Sequence, residues 1–186
     1  MRPTSLPVDS LTSPRWLLLV CAVLLLFACQ AKEPPLSPAA SFKKEVKSIL
    51  DKLSTTLVEP VFKKDVHGIE IALSEIEPQV AKLCHMCQSF QVGVLNQHGE
   101  TLIVHPPTAR SNNFSSYDLV IKIISSKQIQ QQKFFLQDGS ELYIICAPIL
   151  RQDTVIGLTA IAIGAEEAKS RWGLTEKEFM ALNFNT

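Results

Sequence analysis

The stretch 141–164, ELYIICAPILRQDTVIGLTAIAIG, constrains the fold more than any other part of this chain. Two runs, 142–150 and 155–163, are rich in Ile, Val, Leu, Tyr and Thr, side chains that suit a pleated and largely buried surface. Between them lies the short polar connection Arg151-Gln152-Asp153-Thr154, so the two runs are predicted to pair as an antiparallel hairpin. Apart from the extreme N-terminus, no other segment is as apolar. The hairpin is therefore expected at the centre of a single sheet, with the remaining elements covering it.

Length and charge set the outer bounds. The chain has 186 residues, enough to bury a core without metal or disulfide support. Its formal net charge is zero, and no basic stripe runs along it, which argues against nucleic acid as a partner.

Residues 16–28, WLLLVCAVLLLFA, form an unbroken apolar run after Arg15, with Arg2 further upstream. The run is shorter than the roughly 18 residues of a spanning helix and fits the about 7–15 of a signal-peptide core. It ends in Leu26-Phe27-Ala28-Cys29, followed by Gln30. This resembles the lipobox of bacterial lipoproteins, with Leu at −3, a small residue at −1 and Cys at +1; Phe27 departs from the small residue usual at −2. The resemblance implies a removed leader over 1–28, lipid on Cys29, and a Pro-rich tether over 29–40 ahead of a domain over 41–186. Acyl chains, at about 0.8 kcal/mol per buried methylene, would hold such a domain on a membrane. Gln30 in place of Asp implies, for a Gram-negative source, the periplasmic face of the outer membrane.

From Ser41, a plausible N-cap, the residues Phe42, Val46, Ile49, Leu50, Leu53 and Leu57 recur at helical spacing, and Pro60 is expected to end the element. A second helix is predicted from Phe62, Val66, Ile69, Leu73 and Ile76, closed by Pro78. A short third takes Val80, Leu83, Cys84 and Cys87. These apolar faces are expected to dock on the sheet.

Cys84-His85-Met86-Cys87 is the sharpest chemical signal after the leader. Covalent haem attachment needs His directly after the second Cys, where Gln88 stands. A thioredoxin-like pair belongs at a helix N-terminus, and this one falls at the end of a predicted helix. A soft-metal site with His85 or Met86 would need a further ligand from His67, His98, His105 or Cys146. The favoured reading is a disulfide or buried thiols in an oxidising compartment, which leaves one of Cys84, Cys87 and Cys146 free or paired between molecules.

The second half alternates as strands do. Residues 90–95 form one run, Asn96-Gln97-His98-Gly99-Glu100 a turn with Gly at a position expected to need positive φ, and 101–105 the returning strand before Pro106-Pro107. A polar stretch leads to a short helix over 117–125 with Leu119, Val120, Ile123 and Ile124 inward. A third strand over 129–136 turns at Asp138-Gly139 into the hairpin.

This order, led by long amphipathic helices, resembles the PAS-like single Cache domain of bacterial extracytoplasmic sensors. The resemblance rests on VGVLNQHGETLIVHP at 92–106, SSYDLVIKII at 115–124, and FFLQDGSELYIICAPIL with VIGLTAIAIG between 134 and 164. Asn96-Gln97-His98-Gly99 stands for the family's D-x-x-G-like turn. The fold implied is α+β: a PAS/Cache-like antiparallel five-stranded sheet preceded by long N-terminal helices. The family binds small carboxylates, amino acids or amines between the sheet and the helix-bearing insert. The resemblance therefore implies a site near the loop after Val104 and on the inner faces of the last two strands.

Arg110, as a bidentate carboxylate partner, and Tyr143 are the favoured ligand residues, with Tyr117 and His105 near the mouth. Tyr143 and Cys146 fall on opposite faces of one strand, so only one of them can face such a pocket. No phosphate loop, nucleophile elbow, HExxH or carboxylate pair points to an enzyme, and no cofactor is implied. Residues 165–185 are expected to form a terminal helix on the sheet edge, after which no output module follows. The favoured function is a lipid-anchored, ligand-binding sensor acting through a separate membrane signalling or envelope protein. An assembly lipoprotein using the sheet for interaction, and a redox or soft-metal protein built on Cys84 and Cys87, stand as alternatives.

Overall fold

The computed structural model of the protein describes residues 36–83, 90–107, 113–136 and 138–186. The leader and tether readings up to residue 35, with Cys29, and the positions Cys84, Cys87 and Arg110 lie outside them. Helix α1 (Pro38–Thr56) begins earlier than Ser41, because Ser37 is the cap: its Oγ accepts from Ala40 N at 3.2 Å. Pro38 then takes the first helical position, where a missing N–H costs nothing. Phe42, Val46, Ile49, Leu50 and Leu53 form the buried face at the expected spacing.

The prolines do not break the chain where the sequence suggests. Pro60 sits in the first turn of a separate short helix α2 (Val58–Lys63), whose leading N–H groups have no intrahelical acceptor in any case. Helix α3 (Val66–Leu83) carries Pro78 inside it, so the predicted second and third helices are one element as far as Leu83. Packing of Ile69, Ala72, Leu73, Ile76 and Leu83 outweighs the one lost hydrogen bond. Phe62 and Val66, expected in the core, are exposed.

Strands β1 (Gln91–Asn96) and β2 (Thr101–His105) form the first hairpin. Helix α4 (Asp118–Ser126) follows in the insert, burying Leu119, Val120 and Ile123 but leaving Ile124 largely exposed. Then come β3 (Gln130–Phe135), β4 (Glu141–Arg151) and β5 (Thr154–Gly164). The sheet order is β2-β1-β5-β4-β3, every neighbour antiparallel, with the apolar hairpin at its middle as expected. Arg151 pairs with Thr154, so the connection is a two-residue turn in which Gln152 and Asp153 both take positive φ, at 48° and 65°.

One face of the sheet carries Val92, Val94, Tyr143, Ile145, Ile149, Ile161 and Ile163 into the main core with α1 and α3. The C-terminal segment joins this core rather than the sheet edge. It forms two helices, α5 (Ala165–Trp172) and α6 (Glu176–Ala181), separated at Gly173, and buries Trp172, Phe179 and Phe184. Phe42 meets Trp172 edge to face at 5.1 Å. Among the described residues no helix is long and apolar enough to cross a membrane.

Candidate functional site

The second sheet face is covered by the insert, and unevenly. At one end Leu95, Leu158, Val155 and Cys146 pack against Leu119, Val120 and Ile123 of α4 into a small second core. Beyond that end the sheet presents little bulk at the partly open Gly93, Ala160 and Ala162, while Cys146 marks the border of the packed end. Gly93 pairs with Val104 and Ala160, and Ala160 with Cys146, so one transverse row across β1, β5 and β4 reads Gly, Ala, Cys. The adjoining row runs Gln91, Ala162, Ile144. Above these rows lies a cavity of about 740 Å³, within the range of small-molecule sites.

Its walls are aromatic and aliphatic. Phe114 and Tyr117 meet at 5.3 Å between ring centroids, and Tyr117 and Phe134 at 5.6 Å, forming a continuous aromatic side. Leu119, Val120, Leu136, Leu142 and Ile144 complete it, and Gln91, Thr101, Asn113 and Tyr117 supply polar groups. Asp, Glu, Lys, Arg and His are absent from the lining among the described residues. Cys146, free and buried, contributes its thiol from β4; loss of water pushes its pKa up to about 12, so the thiol stays protonated.

Local chemistry holds the insert over this floor. Asn96 Oδ1 accepts from His98 N at 2.8 Å and Glu100 N at 3.0 Å, closing the β1–β2 turn. Gly99 takes the expected positive φ, 78°, and its carbonyl accepts from Phe114 N at 2.8 Å. A Cβ at Gly99 would come within 2.9 Å of Ser115 N, so glycine lets the turn and the insert meet. At the other end Lys127, capping α4, pairs with Asp153 of the hairpin turn at 2.6 Å.

The sequence candidates divide. Tyr117 and Cys146 line the cavity. Tyr143, the favoured one of the β4 pair, points to the opposite face and into the main core, because α1 and the C-terminal helices dock there. His105 pairs with Val92, a residue of the helix-covered face, and is exposed at the end of β2, away from the cavity lining. Arg110, Cys84 and Cys87 fall outside the described residues. Gly93, Ala160, Phe114 and Phe134 were not singled out from sequence. A signal for the first two exists, small residues at alternate strand positions, but it becomes informative only once the register is known. No group of three or more His, Cys, Asp or Glu is placed to hold a metal among the described residues.

No protein-family model matches the sequence, and no curated protein matches it. Solved structures do. The domain of a sensory box/GGDEF-family protein from Vibrio parahaemolyticus superposes with a TM-score of 0.55 at 15% identity, covering 76% of this chain and 61% of that one. The extracellular domain assigned to the histidine kinase vpHK1S-Z8 gives 0.53 at 16% identity, covering 91% and 66%. The ligand-binding domain of the Pseudomonas aeruginosa amino-acid chemoreceptor PctC, solved with GABA, gives 0.52 at 13% identity, covering 73% and 64%. The chain thus spans between 61% and 66% of the length of these proteins. At such identities the likeness shows the fold, which is the PAS/Cache-like sheet of extracellular sensor domains with helices preceding it.

Proposed function

We propose that the protein is a lipid-anchored extracytoplasmic sensor lipoprotein that binds a small ligand between its sheet and its insert. The observation that carries this reading is the cavity over the Gly93-Ala160-Cys146 row, in a fold shared with extracellular sensor domains. PctC, of the same fold, is an amino-acid chemoreceptor solved with GABA, which supports a small molecule as the occupant here.

Anchoring comes from the N-terminal sequence. Residues 1–28 act as the leader, Cys29 carries the lipid, 29–40 serve as tether, and 41–186 form the sensing domain. The periplasmic face of the outer membrane is the proposed location. With the apolar run removed at Cys29, the domain passes its occupancy to a separate membrane or envelope protein by contact.

The test is native mass spectrometry of the full chain, expressed in a Gram-negative host and extracted from membranes in mild detergent. The expected species begins at an acylated Cys29 and carries a retained small molecule; Cys29→Ser loses the acyl mass and leaves the membrane fraction. An intact unprocessed N-terminus would overturn the anchoring. A bare chain that copurifies with an envelope protein regardless of added metabolites would overturn the sensor reading in favour of an assembly role.

A further inference from the structure

On the helical side of the domain an open groove runs between α1, the end of α3 and the end of α5, and Leu36 lies on its border. Its rim is basic. Lys44 of α1, Lys82 of α3 and Arg171 of α5 converge on it from three elements, and all three residues are exposed. Against them stands Glu45, whose Oε1 accepts from Ser41 Oγ at 3.1 Å. Arg171 donates to the Lys82 carbonyl, and its guanidinium carbon lies 5.2 Å from the centre of the Trp172 ring. The cations are thus held over an apolar floor of Ile49, Leu83 and Trp172, with Leu36 protruding beside them, 56% exposed. Cationic heads above apolar bodies suit the boundary between water and lipid headgroups.

The place of the groove along the chain says what it meets. Cys29 precedes Leu36 by seven residues, which span at most about 25 Å, so lipid on Cys29 keeps this corner of the domain close to the bilayer. Helix α1 starts at the same corner and runs for 19 residues, about 28 Å. The groove uses the N-terminal part of α1, at the tethered end, whereas α2 with Lys64 at its C-cap follows the far end. An anionic surface attracts nearby cations over roughly 8 Å at physiological ionic strength. Each Lys or Arg brought to such a surface strengthens the association about fivefold.

We propose, resting on the reading of Cys29 as the lipid anchor, that this groove is a second membrane contact, which docks on the headgroups of an anionic phospholipid bilayer through Lys44, Lys82 and Arg171. The acyl chains hold the domain at the membrane and the groove sets which end of it faces the lipid. Helix α1 then points away from the surface and carries α2 and the hairpin turn at Gln152-Asp153 toward the partner protein.

Lysine footprinting of the acylated full-length product, reconstituted into vesicles, tests this. Acetylation by N-hydroxysuccinimidyl acetate is followed peptide by peptide on phosphatidylcholine vesicles with and without phosphatidylglycerol. Lys44 and Lys82 should react at least about fivefold more slowly when phosphatidylglycerol is present, and high salt should restore their rates. Lys64 should react alike on both. Lys82→Gln should weaken the protection of Lys44, and Lys44→Gln that of Lys82; both replacements are at exposed positions. Equal rates on the two vesicles, with the protein still bound to them, would leave the anchor standing and overturn the groove contact. Protection of Lys64 in place of Lys44 and Lys82 would overturn it too, by putting the other end on the membrane. Protection by free inorganic phosphate on neutral vesicles would make the groove a small-anion site instead. A chain without acyl mass that does not stay with either vesicle would overturn the anchoring, and this contact with it.

Discussion

The rings of Tyr143 and Phe179 lie face to face, with centroids 4.1 Å apart and planes inclined by 8°. One comes from the central hairpin and the other from α6, so the stack fastens the C-terminal segment to the helix-covered face of the sheet. Burial raises the Tyr143 pKa, and the nearby carboxylates of Glu176 and Glu141 raise it further, so the phenol stays neutral well into alkaline solution. Phe179, fully buried, should cost about 3–5 kcal/mol on replacement by Ala, whereas Tyr143→Phe keeps the stack and should cost far less. Denaturant midpoints at constant m-value measure both. A mild Phe179→Ala would mean that the segment is not fastened there, and loss of ligand binding in Tyr143→Phe would return Tyr143 to the site.

Thr159 is the buried polar residue of the main sheet face, between Val94 and Ala147, and its Oγ1 has no hydrogen-bond partner among the described residues. A hydroxyl desolvated without a partner opposes folding, and valine has nearly the same shape. Thr159→Val should therefore stabilise the protein by about 1 kcal/mol, read as a higher urea midpoint. A lower midpoint would show that the hydroxyl has a partner, such as an ordered water.

How far the sequence reaches depends on whether a feature is local. The hairpin over β4 and β5 and the Asn96–Gly99 turn were legible because alternation and turn chemistry act over a few residues. The buried face of α1 was legible for the same reason, its 3.6-residue period. Pro60 and Pro78 misled for different reasons: Pro60 sits in the first turn of a new helix, where its missing N–H costs nothing, and the cost of Pro78 inside α3 is overruled by the packing of the apolar residues around it. Alternation separates Tyr143 from Cys146, but which faces the cavity depends on the side where α1, α3 and α6 dock. The Gly93-Ala160-Cys146 row is set by two strand registers joining distant segments, and no window of sequence contains it.

Gly93 and Gly157 offer a matched pair of substitutions. Gly93→Ala places its methyl at ordinary contact distance and reduces the entropy that glycine loses on folding, so a gain of up to about 0.5–1 kcal/mol is expected. Gly157→Ala drives its methyl into the Leu95 carbonyl and Val61, and overpacking of that kind costs roughly 1–3 kcal/mol. Thermal unfolding of both variants decides it. Equal losses would show that Gly93 has a structural role after all.

Cys146 offers a chemical check on the cavity floor. With its pKa pushed up to about 12 from the ordinary 9 by burial, the reactive thiolate is far scarcer at neutral pH than in an exposed thiol. Alkylation by iodoacetamide, followed peptide by peptide in the mass spectrometer, should be much slower in the native protein, where Cys146 is also shielded from the reagent, and normal in denaturant. A native rate equal to the denatured one would place Cys146 in open water, contrary to its burial.

Thr175 and Glu178 form a reciprocal cap at the start of α6, which carries Phe179 into the core. Glu178 N donates to Thr175 Oγ1 at 3.3 Å, while Glu178 Oε2 accepts from Thr175 N at 2.9 Å and from its hydroxyl at 2.7 Å. The Thr175 N–H first, and then the hydroxyl, hold the Glu178 carboxyl below its ordinary value of 4.5. Because the folded value is the lower one, the unfolded chain takes up the proton first as pH falls. The carboxylate's contribution is complete above the ordinary value and is lost as pH drops through the folded one. The stability gap between wild type and Glu178→Gln should therefore be constant at neutral pH and shrink in acid. Thr175→Ala removes the acceptor of the Glu178 N–H and should cost about 1 kcal/mol near neutrality. Urea titrations across the acid range test the sign: a gap that widens on acidification would mean the carboxylate is not held by the cap.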